Sequence, residues 1–170
     1  MRRVARIAPA GYWPVEHAAM SVTLVYEDRY RRRMVITADD GSSTFLLDLP
    51  QARVLNDGDG LVLDDGAIAL VRAATERVCD VICESPEALA RIAWHLGNRH
   101  LPVQVIPGGL RIRDDHVIVD MLVRLGARVT PRQAPFTPEG GAYASAHGHA
   151  HGDHHSNHHH RPSDHQAHGH

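Results

Sequence analysis

The chain has 170 residues, of which 43% are hydrophobic and 5% aromatic, and its formal net charge is -2 with histidine neutral. This length allows one ordinary domain or two small ones beside a terminal tail, and the charge gives no basis for nucleic-acid binding. All 18 residues in the lysine-plus-arginine count are arginine, which excludes a lysine-dependent P-loop or Schiff base.

The first ten residues are basic but lack the apolar stretch of a signal peptide. No later stretch approaches the roughly 20 consecutive apolar residues of a membrane span. We therefore expect a cytoplasmic protein with no membrane partner.

Short β-forming runs alternate with Asp-Gly turn signals through the first half of the chain. The runs are residues 21–26, 33–38, 44–49, 61–63 and 67–71. Residues 56–60 could also suggest a calcium loop, but their spacing does not satisfy an EF-hand, so we interpret them as turns. The pattern predicts a small all-β domain over residues 1–74.

The pattern changes after residue 76. A strand at 78–83 precedes Ser85, Pro86 and Glu87, which are typical of a helix start, and Gly97 is predicted to end that helix. The apolar positions of the helix are spaced at i, i+3, i+4 and i+7. They are Leu89, Ile92, Ala93 and Leu96.

A hairpin follows at 103–113, and then a second helix that Asp114 or Asp115 can cap and Gly126 can end. The predicted apolar face of the second helix consists of Val117, Ile118, Met121, Leu122 and Leu125. A last strand at 127–130 leads into a proline-rich exit. The order strand, helix, strand, strand, helix, strand is that of a ferredoxin-like α+β domain, which we place at 75–133.

The two cysteines, Cys79 and Cys83, lie four residues apart on a predicted strand. At about 3.3 Å per residue they stand ~13 Å apart, too far for a disulfide or a shared metal ion. We expect both to be buried or half-buried thiols.

Histidine dominates the end of the chain, because eleven of the 15 histidines lie in the last 24 residues. We predict that residues 134–170 form a disordered, metal-collecting tail; the alternative is an affinity tag, which usually has an uninterrupted histidine run. The predicted tail ligands are His147, His149, His151, His154, His155, His158, His159 and His160. Loose imidazoles favour Cu(II) or Ni(II) and accept Zn(II) or Co(II).

Four histidines precede the tail. His17 lies in an irregular N-terminal stretch and is interpreted as a surface residue, and His95 suits the last turn of the first helix. His100 follows that helix on a loop, where it is either merely solvated or presented as a ligand. One such ligand cannot hold a divalent ion tightly, but a two-fold axis would supply a pair.

A distinctive string runs from Trp94 through His95, Leu96, Gly97, Asn98 and Arg99 to His100, and residues 115–122 follow it. Together with the Asp-Gly-rich first half and the histidine tail, this string resembles the UreE family of urease accessory proteins. The resemblance implies a cytoplasmic homodimer and a nickel metallochaperone rather than an enzyme. Its first domain would be similar to the substrate-binding domain of DnaJ-type chaperones.

The resemblance also implies roles for single residues. His100 would bind Ni(II) at the dimer interface and His116 would bind metal peripherally, whereas Asp114 stands where some members carry a further histidine. The implied recipients are the GTPase UreG and the urease assembly complex. Three alternatives stay open: a nickel or zinc store without a delivery role, a peptide-binding module, and a metallohydrolase, for which the folded region has no compact ligand motif.

Overall fold

A computed structural model of the chain describes residues 1–140, and the predicted tail ligands lie outside the described residues. The elements of the first half, in chain order, are β1 (Arg2–Ala8), a 3-10 turn (Val15–His17), β2 (Met20–Leu24), α1 (Tyr26–Arg29), β3 (Tyr30–Thr37), β4 (Thr44–Val54), β5 (Gly60–Leu63) and β6 (Ile68–Ala73). The strands form one sheet in the order β2-β6-β5-β1-β4-β3.

The first sheet encloses a core of branched aliphatic side chains around one phenylalanine. Phe45, Leu47, Leu61 and Val71 are fully buried in it. Each of the five predicted β-forming runs, from 21–26 to 67–71, overlaps a strand. The β-forming residues and the turn signals between them predict the same segments. The Asn56–Gly60 segment is a turn, in which the buried Asp59 carboxylate accepts the N–H of Ala10 at 3.0 Å and that of Asn56 at 2.8 Å.

Three elements of the first half are absent from the sequence-based prediction: strand β1, the 3-10 turn and helix α1. Strand β1 contains three arginines and an irregularity between Val4 and Arg6 that interrupts the two-residue period. Helix α1 has only four residues, too few for a helical period. The first half is therefore β-rich but not purely β.

The second half contains β7 (Thr75–Ile82), α2 (Pro86–Asn98), β8 (Gln104–Ile106), β9 (Gly109–Arg113), α3 (His116–Arg124) and β10 (Arg128–Pro135). Its sheet has the order β10-β7-β9-β8, and every neighbouring pair is antiparallel. The second core joins Cys79 and Val81 of β7 to Leu96 of α2 and Leu122 of α3. The predicted succession of strands and helices is present.

Helix α3 buries a narrower face than its sequence predicts. Leu122 is fully buried, and Ile118 and Met121 are partly buried, as expected. Val117 is 61% exposed and Leu125 is 38% exposed, which corrects their assignment to the core. The helix ends at Arg124, so Leu125 lies beyond its regular face.

The chain stays ordered past the residue where the tail was expected to begin. Strand β10 passes through Pro131, because an edge strand tolerates a missing N–H, and it remains paired with β7 as far as Pro135. Phe136 is fully buried and packs edge-on against Tyr26, with ring centroids 5.4 Å apart. The N–H of Glu139 donates to the carbonyl of Val103 at 2.8 Å. The described fold therefore extends to Glu139, five residues past the predicted start of the tail at 134.

A buried arginine holds this last segment. The Arg29 guanidinium donates to the carbonyls of Phe136 and Leu55, the latter at 3.3 Å, and its side chain is fully buried. Burial lowers the pKa of Arg29 from its ordinary value, and the negative charge of Glu76 partly offsets this effect.

None of the helices in residues 1–140 has the length and apolarity that a membrane crossing requires.

Candidate metal centre

His100 lies just beyond the end of α2 in the left-handed backbone region. Its φ is 54°, and no other non-glycine residue within 1–140 has a positive φ. The N–H of His100 donates to the carbonyl of Gly97 at 2.9 Å, and the N–H of Leu101 donates to that of Leu96 at 3.3 Å. These two bonds form a Schellman motif, in which the left-handed position is usually glycine.

This arrangement corrects the predicted role of Gly97. The helix does not end at Gly97 but continues to Asn98, and Gly97 is not among the glycines with positive φ. The histidine therefore takes the position that a glycine normally fills. The left-handed conformation costs a side-chain-bearing residue about 1–2 kcal/mol, and such strain is typical of functional residues.

The side chain of His100 is exposed, and an exposed row of α2 residues ends three residues before it. Ala90, Ala93, Trp94 and Gly97 are all exposed and recur at i, i+3, i+4 and i+7. We call these four residues the α2 stripe. Trp94 is 64% exposed, which is unusual for the largest apolar side chain.

Gly97 has no packing role within residues 1–140. A Cβ at Gly97 would meet no atom of those residues outside its own helical turn within 4 Å. Glycine in a helix costs about 1 kcal/mol relative to alanine, so the fold of a single chain would favour alanine here. A glycine in this place permits close approach by something outside the chain.

The other histidines of the fold have different settings. His17 is exposed at the end of the 3-10 turn, as expected. His95 is half-buried in the last turn of α2, where its ring meets Trp94 edge-on at 5.1 Å between centroids. Its carbonyl accepts a bond from Arg99 Nη1 at 3.0 Å. A structural role suits His95.

His116 is exposed as the first residue of α3. The capping residue is Asp115, whose carboxylate accepts the N–H of Val117 at 2.9 Å and that of Ile118 at 3.2 Å. Asp114 is instead engaged by Arg77 at 2.7 Å. Of the two capping candidates, Asp115 is therefore the one that caps the helix.

Within residues 1–140, no three side chains of histidine, cysteine, aspartate or glutamate gather in a geometry that could hold a metal ion. Both cysteines are free thiols. Burial, followed by the nearby Asp114 carboxylate, raises the pKa of Cys79 to about 11. A thiol that stays protonated is a poor metal ligand, so the exposed histidines are the candidate donors.

Sequence reasoning identified His100 but not its backbone conformation. One signal was available: no glycine or asparagine follows Arg99, although the helix must stop before Pro102. A helix without a glycine after its end can still adopt the left-handed turn at another residue. The α2 stripe could also be predicted from the sequence, because alanine and glycine recur along α2 at the spacing of one helix face.

Comparison with known proteins places both halves in one family. Residues 3–74 match the model of the UreE urease accessory protein N-terminal domain, and residues 76–170 match that of its C-terminal domain. A urease accessory protein UreE of Rhodopseudomonas palustris is 50% identical over 146 residues, covering 86% of this chain and 67% of that protein.

Relatives from other genera agree. A urease accessory protein UreE of Rhodobacter capsulatus is 46% identical over 145 residues, covering 85% of this chain and 88% of that protein. One from a Chelativorans species is 50% identical over 128 residues, covering 75% and 80% respectively. The chain therefore belongs to the UreE family of urease accessory proteins.

Proposed function

We propose that this protein is a nickel metallochaperone, which binds Ni(II) through His100 and delivers it for assembly of the urease metallocentre. The observation that carries the proposal is the strained, exposed His100 at the end of α2. A residue that costs the fold stability in a place where glycine would serve better is retained for another reason. An exposed imidazole suits Ni(II), which nitrogen donors bind well.

The site requires a second copy of the chain. A single imidazole binds a divalent ion weakly, whereas two His100 side chains related by a two-fold axis would form a pair. The α2 stripe ends three residues before His100, and Gly97 allows the backbone of a partner to approach closely. We propose that the stripe is the homodimer contact and that His116 is a peripheral ligand.

The proposed dimerisation domain is ferredoxin-like. The sheet order β10-β7-β9-β8, with side chains of α2 and α3 in one core, supports this assignment. We propose domain limits of 1–74 for the first unit and 75 to about 139 for the second, since Phe136 and Glu139 belong to the ordered chain.

The eleven histidines of the tail, from His147 to His170, would collect metal as weak and exchangeable ligands. Exchangeable ligands suit delivery, because the cargo must leave. Ni(II) is the proposed cargo, and Zn(II), Cu(II) and Co(II) are competitors. The proposed recipients are UreG and the urease assembly complex, in the cytoplasm, and the role is not enzymatic.

A storage or buffering role is the alternative, favoured by the density of tail histidines. A store would not need His100 or a dimer. Calorimetric titration of the full chain with nickel chloride separates the two roles: His100→Ala should abolish the tight site and keep the weak ones. Truncation after residue 140 should keep the tight site and abolish the weak ones. Unchanged tight binding in His100→Ala would refute the proposed site.

A further inference from the structure

Two arginines face each other across strands β3 and β4. Arg31 stands directly opposite Arg53 in the antiparallel register, so both side chains leave the same face of the sheet. Both residues are exposed. Like charges in directly opposite positions destabilise paired strands, so the fold gains no stability from this arrangement.

Two further arginines adjoin the pair. Arg32 lies at an irregularity of the strand register, and Arg33 follows it; both are exposed. We call Arg31, Arg32, Arg33 and Arg53 the arginine ribbon. Asp28 contacts Arg31 at 3.3 Å, and Asp48 stands opposite Arg33.

The ribbon is thus a local excess of positive charge. Four guanidinium groups face two carboxylates, on a chain whose formal net charge is -2. The contact between Arg31 and Asp28 is exposed on both sides and contributes little to stability. The excess charge is therefore available to a negatively charged partner.

Strand β3 is at the edge of the six-stranded sheet, and within residues 1–140 no strand pairs with its outer side. Charged side chains often protect such an edge from unwanted pairing. The Arg53 end of β4 is a second local edge, because β4 pairs with β1 only at Phe45 and Leu46. Edge protection does not require two arginines in directly opposite positions, an arrangement that destabilises the paired strands. Tyr30, 55% exposed, and Val35, 53% exposed, add apolar surface to the same strand.

We propose that the arginine ribbon binds an acidic, extended segment of another protein along the outer edge of β3. Guanidinium groups bind carboxylates with paired hydrogen bonds, which suits acidic side chains at alternate positions. The free backbone groups of β3 would pair with the backbone of the segment, and Tyr30 and Val35 would contact its apolar residues.

A nucleic acid fits this surface less well. Asp28 and Asp48 lie beside the ribbon and would repel a continuous phosphate backbone. On strands β3 and β4 only Tyr30 offers an exposed ring for base stacking, whereas single-strand binders usually align several aromatic side chains. The backbone groups of an edge strand also have no regular counterpart in a nucleic acid.

The test uses the full chain and a fluorescent peptide of alternating glutamate and valine, followed by anisotropy. Arg53→Glu should weaken peptide binding by about tenfold or more, from reversal of one charge at the contact. The thermal midpoint should not fall, because the change gives Arg31 an opposite charge across the strands. Added salt should weaken binding by the unchanged protein.

Arg72→Glu is the matched control, since Arg72 is an exposed arginine of the same sheet on β6. It should leave the dissociation constant within about twofold, as expected for a charge outside the contact. Amide exchange of β3 should slow in the presence of the peptide. The proposal is overturned if the peptide does not bind, if Arg72→Glu weakens binding equally, or if single-stranded oligothymidylate binds more tightly than the peptide.

Discussion

The N–H of His100 donates to the carbonyl of Gly97 at 2.9 Å, and this bond fixes His100 in the left-handed turn that ends α2. The two residues stand in an unusual relation. Glycine occupies the helical position, where alanine would be more stable, and histidine occupies the left-handed position, where glycine would be more stable. Both choices cost stability, and both suit a site that is completed by a second chain.

Gly97 provides a test of the proposed dimer contact. Gly97→Leu should convert a dimer into a monomer, because its side chain would project from the α2 stripe where a partner backbone approaches. The folded chain should not lose stability, since residues 1–140 leave open space beside Gly97 and the helix gains about 1 kcal/mol of helix propensity. Light scattering after size exclusion measures the mass.

Arg91→Leu is the matched control for Gly97→Leu, because Arg91 is exposed on α2 outside the stripe. It should leave the dimer intact. A Gly97→Leu protein that remains dimeric would place the contact elsewhere.

Asp115 caps α3 through two backbone N–H groups. Asp115→Ala should lower the free energy of unfolding by about 1 kcal/mol, the usual effect of losing a capping side chain. Asp120→Ala, at an exposed position within the same helix, should change it by less than about 0.5 kcal/mol. Equal effects in urea denaturation would contradict the capping role.

The carboxylate of Asp80 makes stability depend on pH. Two hydrogen bonds from Arg111, at 2.7 and 3.2 Å, hold the pKa of Asp80 below its ordinary value of 3.8, with a further contribution from Arg132. The unfolded chain then binds the proton more readily, so this contribution is complete above pH 3.8 and is lost as the pH falls through the lower folded value.

The matching experiment is thermal unfolding of Asp80→Asn across the acid range. The variant should lose stability at neutral pH, where the carboxylate is charged and paired, and the difference from the unchanged protein should shrink towards low pH. A difference that stays constant with pH would mean that ionisation of Asp80 makes no contribution.

Phe136 tests whether the segment after β10 belongs to the fold. Phe136→Ala should lower the free energy of unfolding by about 3–5 kcal/mol, as expected for removal of a fully buried aromatic ring. Gln133→Ala, at an exposed position of β10, is the control and should change it by less than about 0.5 kcal/mol. A small change in the free energy of unfolding of Phe136→Ala would mean that the segment after β10 does not belong to the fold.

Local signals predicted most of the second half of the fold. Ser85, whose hydroxyl accepts the N–H of Ala88 at 3.1 Å, and Pro86 mark the start of α2 in the sequence as they do in the structure. Long-range contacts were not predictable in the same way. Phe136 is buried because Tyr26 and Arg29, over 100 residues away, form its environment, and no local pattern encodes that contact.

The candidate site was predictable in part. The string from Trp94 to His100 identified His100 as a candidate ligand, because its residues resemble those of the UreE family. The left-handed conformation of His100 depends on the residue at which α2 ends. A sequence pattern does not define the end of a helix to a single residue. The arginine pair depends on strand register, which the sequence of β3 and β4 does not specify by itself.

The most direct measurement is nickel titration of His100→Gly together with its thermal unfolding. Relief of the left-handed strain should raise the free energy of unfolding by up to about 1 kcal/mol, after the entropy that glycine adds to the unfolded chain. Tight nickel binding should disappear, while His17→Ala, at an exposed histidine away from the site, should keep it. A His100→Gly protein that is more stable and has lost tight nickel binding is the predicted result; one that still binds nickel tightly would contradict it.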